Sequence, residues 1–534
     1  MTGVTFDKRM LLKLVGKKLP DQLLSEKCAM LGTAIDQITE TTITLDVTPN
    51  RPDLLSVQGF SRALKSYLGI ETGLQKYKVL RGKNVVTINP NLKPIRPFTA
   101  CAIVRKLRLD DEKIREIIDV QEKMHGTYAR KRKRCAIGIY PLKEIEFPVS
   151  FEARNPGDIV FTPLEMEKPL PSLQILKDHP KGKEYSQLLF GFKQFPVFVD
   201  ASGAIMSLVP IINSKLTGRV TSETKEAFIE VSGHDFEVCH KALLMLCAMF
   251  SDMGATIESV ELHYGTKKVR TPDFKPEKMK LAVGKVNKLL GTALTQKQVN
   301  SCLRKMGYDV KGTAVSVPAY RADVLHEVDL IEDVAIGYGY DNLAPSIPAI
   351  TAIGQESRQA VLERKLRELM TGQGFLEVKN FCLSSSQIQL QNTYQIRRVV
   401  EMENPLTADY SILRHMLIPG LLEVLSKNKH NEYPQMIFEI GPVWTPEEEP
   451  RMAFVLCSEK GVGFTEAKQT LEAMMRALGK QLSVRPLEDK LFISGRGAVF
   501  PGGFFGEIHP QVLVNFEIPF AVAAGEIRFR EIVE

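Results

Sequence analysis

Apolar residues along this chain switch between a helical and a strand rhythm, and the switches mark out four segments. Leu11, Leu12 and Val15 recur among charged residues, which predicts an amphipathic opening helix capped near Asp7. Strict alternation over Thr42-Ile43-Thr44-Leu45-Asp46-Val47 predicts a half-buried strand. The turn-forming Pro49-Asn50-Arg51-Pro52-Asp53 follows, then a helix over 54–68. Apolar runs at 101–104, 135–139, 196–199 and 227–231 predict further strands, and 236–253 a long helix.

Two prolines in Thr271-Pro272-Asp273-Phe274-Lys275-Pro276 resist both helix and central strand, so a linker is expected there. Past it, 286–290 reads as a helix, and Thr295 with Gln298 forms a capping box ahead of Val299, Cys302, Leu303 and Met306. Gly307 stops that helix, Val315 and Val317 alternate in a strand, and a third helix follows Asp323. Helix, helix, strand, helix resembles a winged-helix plan. After the Pro- and Ala-rich 344–352 comes a helix over 357–370, whose Val361, Leu362, Leu366 and Leu369 suit an interface or their own core, with strands near 436–440, 453–457 and 520–524. The expected fold class is therefore α+β and multidomain, with segments at 1–90, 91–268, 269–346 and 347–534.

At 534 residues the chain is too long for one core, which agrees with several domains. Its longest apolar run, 242–250, falls short of the roughly 20 residues a membrane-spanning helix needs, and no membrane partner is expected. The first residues lack the apolar core of a signal peptide. Eight scattered cysteines form no CxxC pair or zinc-spaced cluster, pointing to a reduced, cytoplasmic protein without structural zinc. A net charge of +7 suits a polyanionic partner without demanding one.

Two charge clusters change that picture. Asp323 sits where a helix cap would be, and Asp329, Glu332 and Asp333 follow at spacings of three and four on one helical face. Such carboxylates are either a solvated acidic helix start or ligands that a hard cation such as Mg²⁺ gathers. The run Arg130-Lys131-Arg132-Lys133-Arg134 is either a solvated loop or a phosphate contact, and Tyr128 beside it either packs or stacks on a base. Glu230, between Ile229 and Val231, is either a partly buried functional carboxyl or an edge-strand group facing water.

Separated stretches resemble one family in its order. These are Asp46-Val47-Thr48-Pro49-Asn50-Arg51-Pro52-Asp53 with Gly59 and Arg62, His179-Pro180-Lys181-Gly182-Lys183-Glu184-Tyr185, and Pro210-Ile211-Ile212-Asn213-Ser214. Arg321-x-Asp323 with Asp329-Leu330-Ile331-Glu332-Asp333, Asn404-Pro405-Leu406, Leu413-Arg414, Phe438-Glu439-Ile440-Gly441 and Gly506-Glu507-Ile508-His509-Pro510 complete them. Together they are similar to the beta subunit of phenylalanyl-tRNA synthetase, in its archaeal and eukaryotic cytoplasmic form. The resemblance implies a tRNA-editing domain over 91–268 that hydrolyses mischarged tyrosyl-tRNA(Phe), with Asn213 and Glu230 in its pocket. An apolar pocket shaped for phenylalanine rejects an analogue with one added hydroxyl only weakly, which is why such a second site is needed.

It also implies a magnesium-binding, winged-helix-like domain with Asp323, Asp329, Glu332 and Asp333 as ligands, where many relatives carry Glu in place of Asp333. The last domain would be a class II synthetase-like antiparallel sheet without chemistry, since Ile437-Phe438-Glu439-Ile440-Gly441 and Gly506-Glu507-Ile508-His509-Pro510 lack the arginines that clamp ATP. ATP and phenylalanine would then be handled by an alpha subunit, in an assembly of two alpha and two beta chains that binds tRNA(Phe). Ser232-Gly233-His234-Asp235 and Val209-Pro210 depart from the family's pattern, so the pocket is expected to differ locally, and with no Ser-His-Asp set the hydrolysis would use bound water. The bacterial subunit's N-terminal tRNA-binding insertion and C-terminal anticodon domain are expected to be absent. The alternative is a non-enzymatic, magnesium-containing tRNA-binding scaffold.

Overall fold

The alternating run Thr42–Val47 forms the middle strand of a three-stranded antiparallel sheet, between Thr2–Asp7 and Ala34–Ile38, with Ile43, Leu45 and Val47 buried. The structure, a computed structural model, describes residues 2–529 and divides into two units, one reaching to Ile347 and the other starting at Pro348. Asp7 caps the helix Lys8–Val15 by accepting from the Met10 N–H at 2.6 Å, and Gly16 ends it in the left-handed region. After the helix Asp21–Met30, the helix expected over 54–68 starts only at Val57. Pro52–Leu54 makes a separate 3₁₀ turn, and Ser56 supplies the cap by accepting from the Gly59 N–H at 3.0 Å. Arg51 grips both oxygens of Asp53 inside that turn, each bond 2.9 Å, so two buried charges neutralise each other.

An eleven-stranded sheet carries the middle of this unit. Its main path runs Ile212–Asn213, Ile205–Leu208, Phe195–Val199, Val149–Arg154, Val85–Ile88, Thr256–Tyr264, Phe98–Arg105, Glu226–Gly233 and Cys135–Pro141. All four strands expected here are among them. The helix Phe236–Asp252, capped by Asp235 accepting from the Val238 N–H at 3.1 Å, is apolar on nearly every side and largely buried, as a helix covering a sheet must be. Twist accumulates across so many strands, and the sheet curls. Tyr140, on the last strand of the path, thereby reaches Ser207 and Asn213 on the first two.

After Thr271, residues 272–276 run without helix or strand into a small sheet of Glu277–Lys280, Ala314–Val317 and Asp309–Lys311. Helices Val283–Leu290, Gln296–Lys305 and Glu327–Tyr338 pack on it. The Thr295–Gln298 capping box is present, its two reciprocal bonds 2.8 and 3.4 Å. The flanking strands gave no sequence signal, because Glu277-Lys278-Met279-Lys280 and Asp309-Val310-Lys311 are short and mostly charged.

The second unit is a seven-stranded sheet ordered Leu376–Glu377, Gln435–Trp444, Glu448–Cys457, Val522–Arg528, Gly503–Ile508, Phe492–Phe500 and Arg485–Pro486. All its pairings are antiparallel save that of Leu376–Glu377. Helix Arg358–Gly372 buries Leu362, Leu366 and Met370 in this unit's own core. Arg414 Nη1 donates to Glu439 Oε1 at 2.6 Å, both side chains being almost wholly buried, and Asn380 Nδ2 donates to Glu439 Oε2 at 2.8 Å. Arg414→Met leaves the Glu439 charge unpaired and is expected to cost ~3–5 kcal/mol, more than the Arg414→Met/Glu439→Leu double variant. Denaturation followed through Trp444, the one tryptophan, whose backbone N–H donates to the Arg414 carbonyl, reads both losses.

Candidate functional site

The curled sheet leaves a cavity of about 480 Å³ between its ends, and Asn213 and Glu230 both line it. Glu230 does not face water: its strand lies between Phe98–Arg105 and Cys135–Pro141, and the side chain is 3% exposed. Directly across from it stands Gly138. A Cβ there would come within 2.5 Å of both Glu230 Oε1 and the Tyr140 hydroxyl, so only glycine lets these two groups share the space. The Tyr140 oxygen lies 2.9 Å from Ser207 Oγ and 3.3 Å from both Asn213 Oδ1 and Glu230 Oε1. Burial pushes the Glu230 carboxyl up to about 8, against the charge of Arg96 and the hydrogen bond to Tyr140. At neutral pH it is therefore mostly a neutral acid, able to donate a proton in a hydrogen bond, and its Oε2 has no partner.

The walls are apolar, with Ile117, Ile137, Ile139 and Leu208 among them, so the cavity suits an apolar group with a polar end. At another part of the lining the Ile137 N–H donates to His125 Nε2 at 2.9 Å, which leaves the ring proton on Nδ1, 3.5 Å from Glu122 Oε1. Burial holds His125 down at about 4. Glu122 is held well below the usual carboxylate range by His125, Arg132 and Lys181. Arg132 and Lys181 each donate to it at 3.0 Å.

The basic run therefore splits. Arg132 is buried, donating to the carbonyls of Pro210 and Ile211 at 3.0 and 2.8 Å, while Arg130, Lys131 and Lys133 are exposed. Arg130, Lys131 and Arg132 all take positive φ, a costly conformation for side-chain-bearing residues. Tyr128 packs beneath Arg134, 5.2 Å from its guanidinium, instead of standing free. Sequence reasoning missed Tyr140, Ser207, His125 and Glu122. The one signal for them was a glycine inside the apolar strand Cys135–Pro141.

Asp323 and Asp333 meet on Arg321, but Asp329 and Glu332 do not join them. The helix cap is His326, and Asp329 accepts the N–H groups of Leu325 and His326 at 2.7 Å each. Asp323, expected as the cap, is instead gripped by Arg321 through two 2.7 Å bonds. Arg321 also donates to Asp333 at 2.8 Å, and the Tyr308 hydroxyl meets the same oxygen. Glu332 is exposed, and among the described residues no group of three or more His, Cys, Asp or Glu could hold a metal ion. The donors thus do not fit one Mg²⁺ shell. Arg321 supplies the positive charge that two of them need.

Comparison with known proteins places these features in a family. Residues 343–529 match the model for the phenylalanyl tRNA synthetase beta chain CLM domain, and 279–340 that for the tRNA synthetase B5 domain. The phenylalanine–tRNA ligase beta subunit of Archaeoglobus fulgidus is 38% identical over 524 residues, covering 95% of this chain and 94% of its own. That of Methanosphaera stadtmanae is 34% identical over 562 residues, covering 100% of both. A crystal structure of an N-terminal fragment of the phenylalanyl-tRNA synthetase beta subunit from Pyrococcus horikoshii aligns with a TM-score of 0.61 at 34% identity, covering 63% of this chain and 99% of the fragment.

The raised Glu230 carboxyl has a consequence for stability. Because the folded acid holds its proton up to about pH 8 and the unfolded one only to its usual 4.5, the folded state binds more protons between those values. That contribution is complete below pH 4.5 and is lost as pH rises through 8. Glu230→Gln, which keeps the shape and cannot ionise, is expected to raise the melting temperature relative to the parent at pH 8 to 9, with the gain vanishing near pH 5. Paired thermal melts across that range check it.

Proposed function

Since this chain belongs to the family of phenylalanine–tRNA ligase beta subunits, we propose that the cavity between its sheet ends hydrolyses tyrosine wrongly attached to tRNA(Phe). The chain's role as beta subunit is in the ligation of phenylalanine to tRNA, which calls for an alpha subunit and tRNA as partners. Adenylation with ATP and phenylalanine falls to the alpha chain in this reading, in an assembly of two alpha and two beta chains. The class II-like sheet supports it: Arg414, which packs against the strand Gln435–Trp444, is spent on Glu439 and the Pro442 carbonyl. No helix of the described residues is long and apolar enough to cross a membrane.

The single observation that carries the editing proposal is a neutral, buried carboxyl with an unpartnered oxygen at the polar end of an apolar cavity. The substrate's ring lies against the isoleucine wall, and its phenolic hydroxyl meets Glu230 and Tyr140. Phenylalanine would leave these groups unpaired, at about 1–3 kcal/mol. Asn213, whose Oδ1 is taken by Tyr140, keeps its Nδ2 for the aminoacyl group. Ser207 has Tyr140 as its side-chain partner and no histidine, so it is no activated nucleophile. Water adds to the ester carbonyl, the bond to the ribose oxygen breaks, and the ribose hydroxyl leaves with a proton. The exposed Arg130, Lys131 and Lys133 suit the tRNA backbone.

Magnesium carries no step here. The winged-helix-like segment owes its helix start to Arg321, Asp329 and His326, and Asp323, Asp329 and Asp333 are committed to those contacts.

Asn213→Ala in the purified complex is expected to slow deacylation of tyrosyl-tRNA(Phe) by tenfold or more while phenylalanine charging stays within twofold. An unchanged deacylation rate removes Asn213 from the pocket chemistry. No deacylation by the parent complex favours the tRNA-binding scaffold without hydrolysis.

A further inference from the structure

The second unit contains a buried imidazole with nothing to bind. His415 follows Arg414, is 1% exposed, and has no hydrogen-bond partner at either ring nitrogen. It stands where two cavities of about 300 and 990 Å³ meet, and Arg397 and Thr445 line both with it. The smaller lies within the roughly 300–1,000 Å³ range of small-molecule sites.

The charges around it are unevenly committed. Asp489 accepts from Gln395 Nε2 at 2.8 Å and the Leu491 N–H at 2.9 Å. Glu526 accepts from the Leu417 and Ile418 N–H groups at 2.9 and 3.2 Å and from Arg451 at 2.9 Å. Arg451 is held further by Glu449 at 2.6 and 2.9 Å. Asp489, Glu526 and Arg451 are therefore satisfied, and Glu401 is an exposed carboxylate on the larger cavity. Arg397 and Arg398, exposed at the cavity rim, have no ion pair among the described residues.

We infer that this cavity is a ligand site for a small phosphate ester carrying a free hydroxyl, with Arg397 and Arg398 taking the phosphate and His415 the hydroxyl. Burial, and then the charges of Arg397 and Arg451, hold His415 down at about 4, so at neutral pH its ring is uncharged. A neutral imidazole offers one N–H and one lone pair, and leaving both unmet costs about 1–3 kcal/mol for each. A hydroxyl, which both accepts and donates, answers that pair. Two guanidinium forks answer a dianionic phosphate. The buried position of His415 favours a small molecule over a nucleic-acid backbone, and the site is independent of the cavity in the first unit.

Ribose 5-phosphate, ribose and inorganic phosphate are the probes, titrated separately into the full chain by calorimetry at neutral pH. Saturable binding of ribose 5-phosphate is expected, at least tenfold tighter than either fragment. Arg397→Ala/Arg398→Ala, at the exposed rim, is expected to weaken it tenfold or more without moving the melting temperature. His415→Phe, which keeps bulk and removes both nitrogens, is expected to weaken it similarly, and His415→Asn, which restores one donor and one acceptor, to recover part of the loss. Absence of saturable binding overturns the proposal, as does binding that both the rim and floor variants leave unchanged. Equal affinity for inorganic phosphate overturns the role of His415.

Discussion

Gly138 allows two side chains to occupy the space a Cβ would fill, and the first unit's cavity rests on that shared space. Glu230 leans over the glycine from the neighbouring strand, and Tyr140 returns from two residues further along. The curl of the long sheet then brings Ser207 and Asn213 against the same phenol. Curl, glycine and buried acid are thus one device. Most of these polar groups are satisfied by one another, and one Glu230 oxygen is left without a partner.

Several other buried charges are kept by pairing them. Arg51 with Asp53, Arg321 with Asp323 and Asp333, and Arg414 with Glu439 each place a planar guanidinium against carboxylates in protein surroundings. Such pairs add little stability over an apolar core, yet breaking one is costly, so they fix turns and helix starts in one arrangement. Glu230 is not paired in this way. Arg96, the cation that lowers its pKa most, spends its own hydrogen bonds on Ser232, and the carboxyl stays protonated.

Local periodicity made much of the architecture legible: the strand Thr42–Val47, the capping box of Thr295 and the helix after Asp235 follow from residues near in sequence. So did the membership of Asn213 and Glu230 in one cavity, though only through family resemblance, since no spacing links the first and eighth strands of a sheet path. Tyr140 and Ser207 were invisible because curl is a property of the whole sheet. The acidic run misled for the opposite reason. Its regular spacing suggested convergence, but Arg321, two residues before Asp323, had already claimed two of the carboxylates, and His326 had taken the cap.

The central claim is that a neutral Glu230 reads the hydroxyl that distinguishes tyrosine from phenylalanine. The direct measurement is the ratio of deacylation rates for tyrosyl- and phenylalanyl-tRNA(Phe) from pH 6 to 9, in the parent complex and in Glu230→Ala. The expected ratio is high and flat below about pH 7, falls as Glu230 ionises near 8, and is at least tenfold lower and independent of pH in the variant. A ratio that is the same in both proteins at every pH would contradict it.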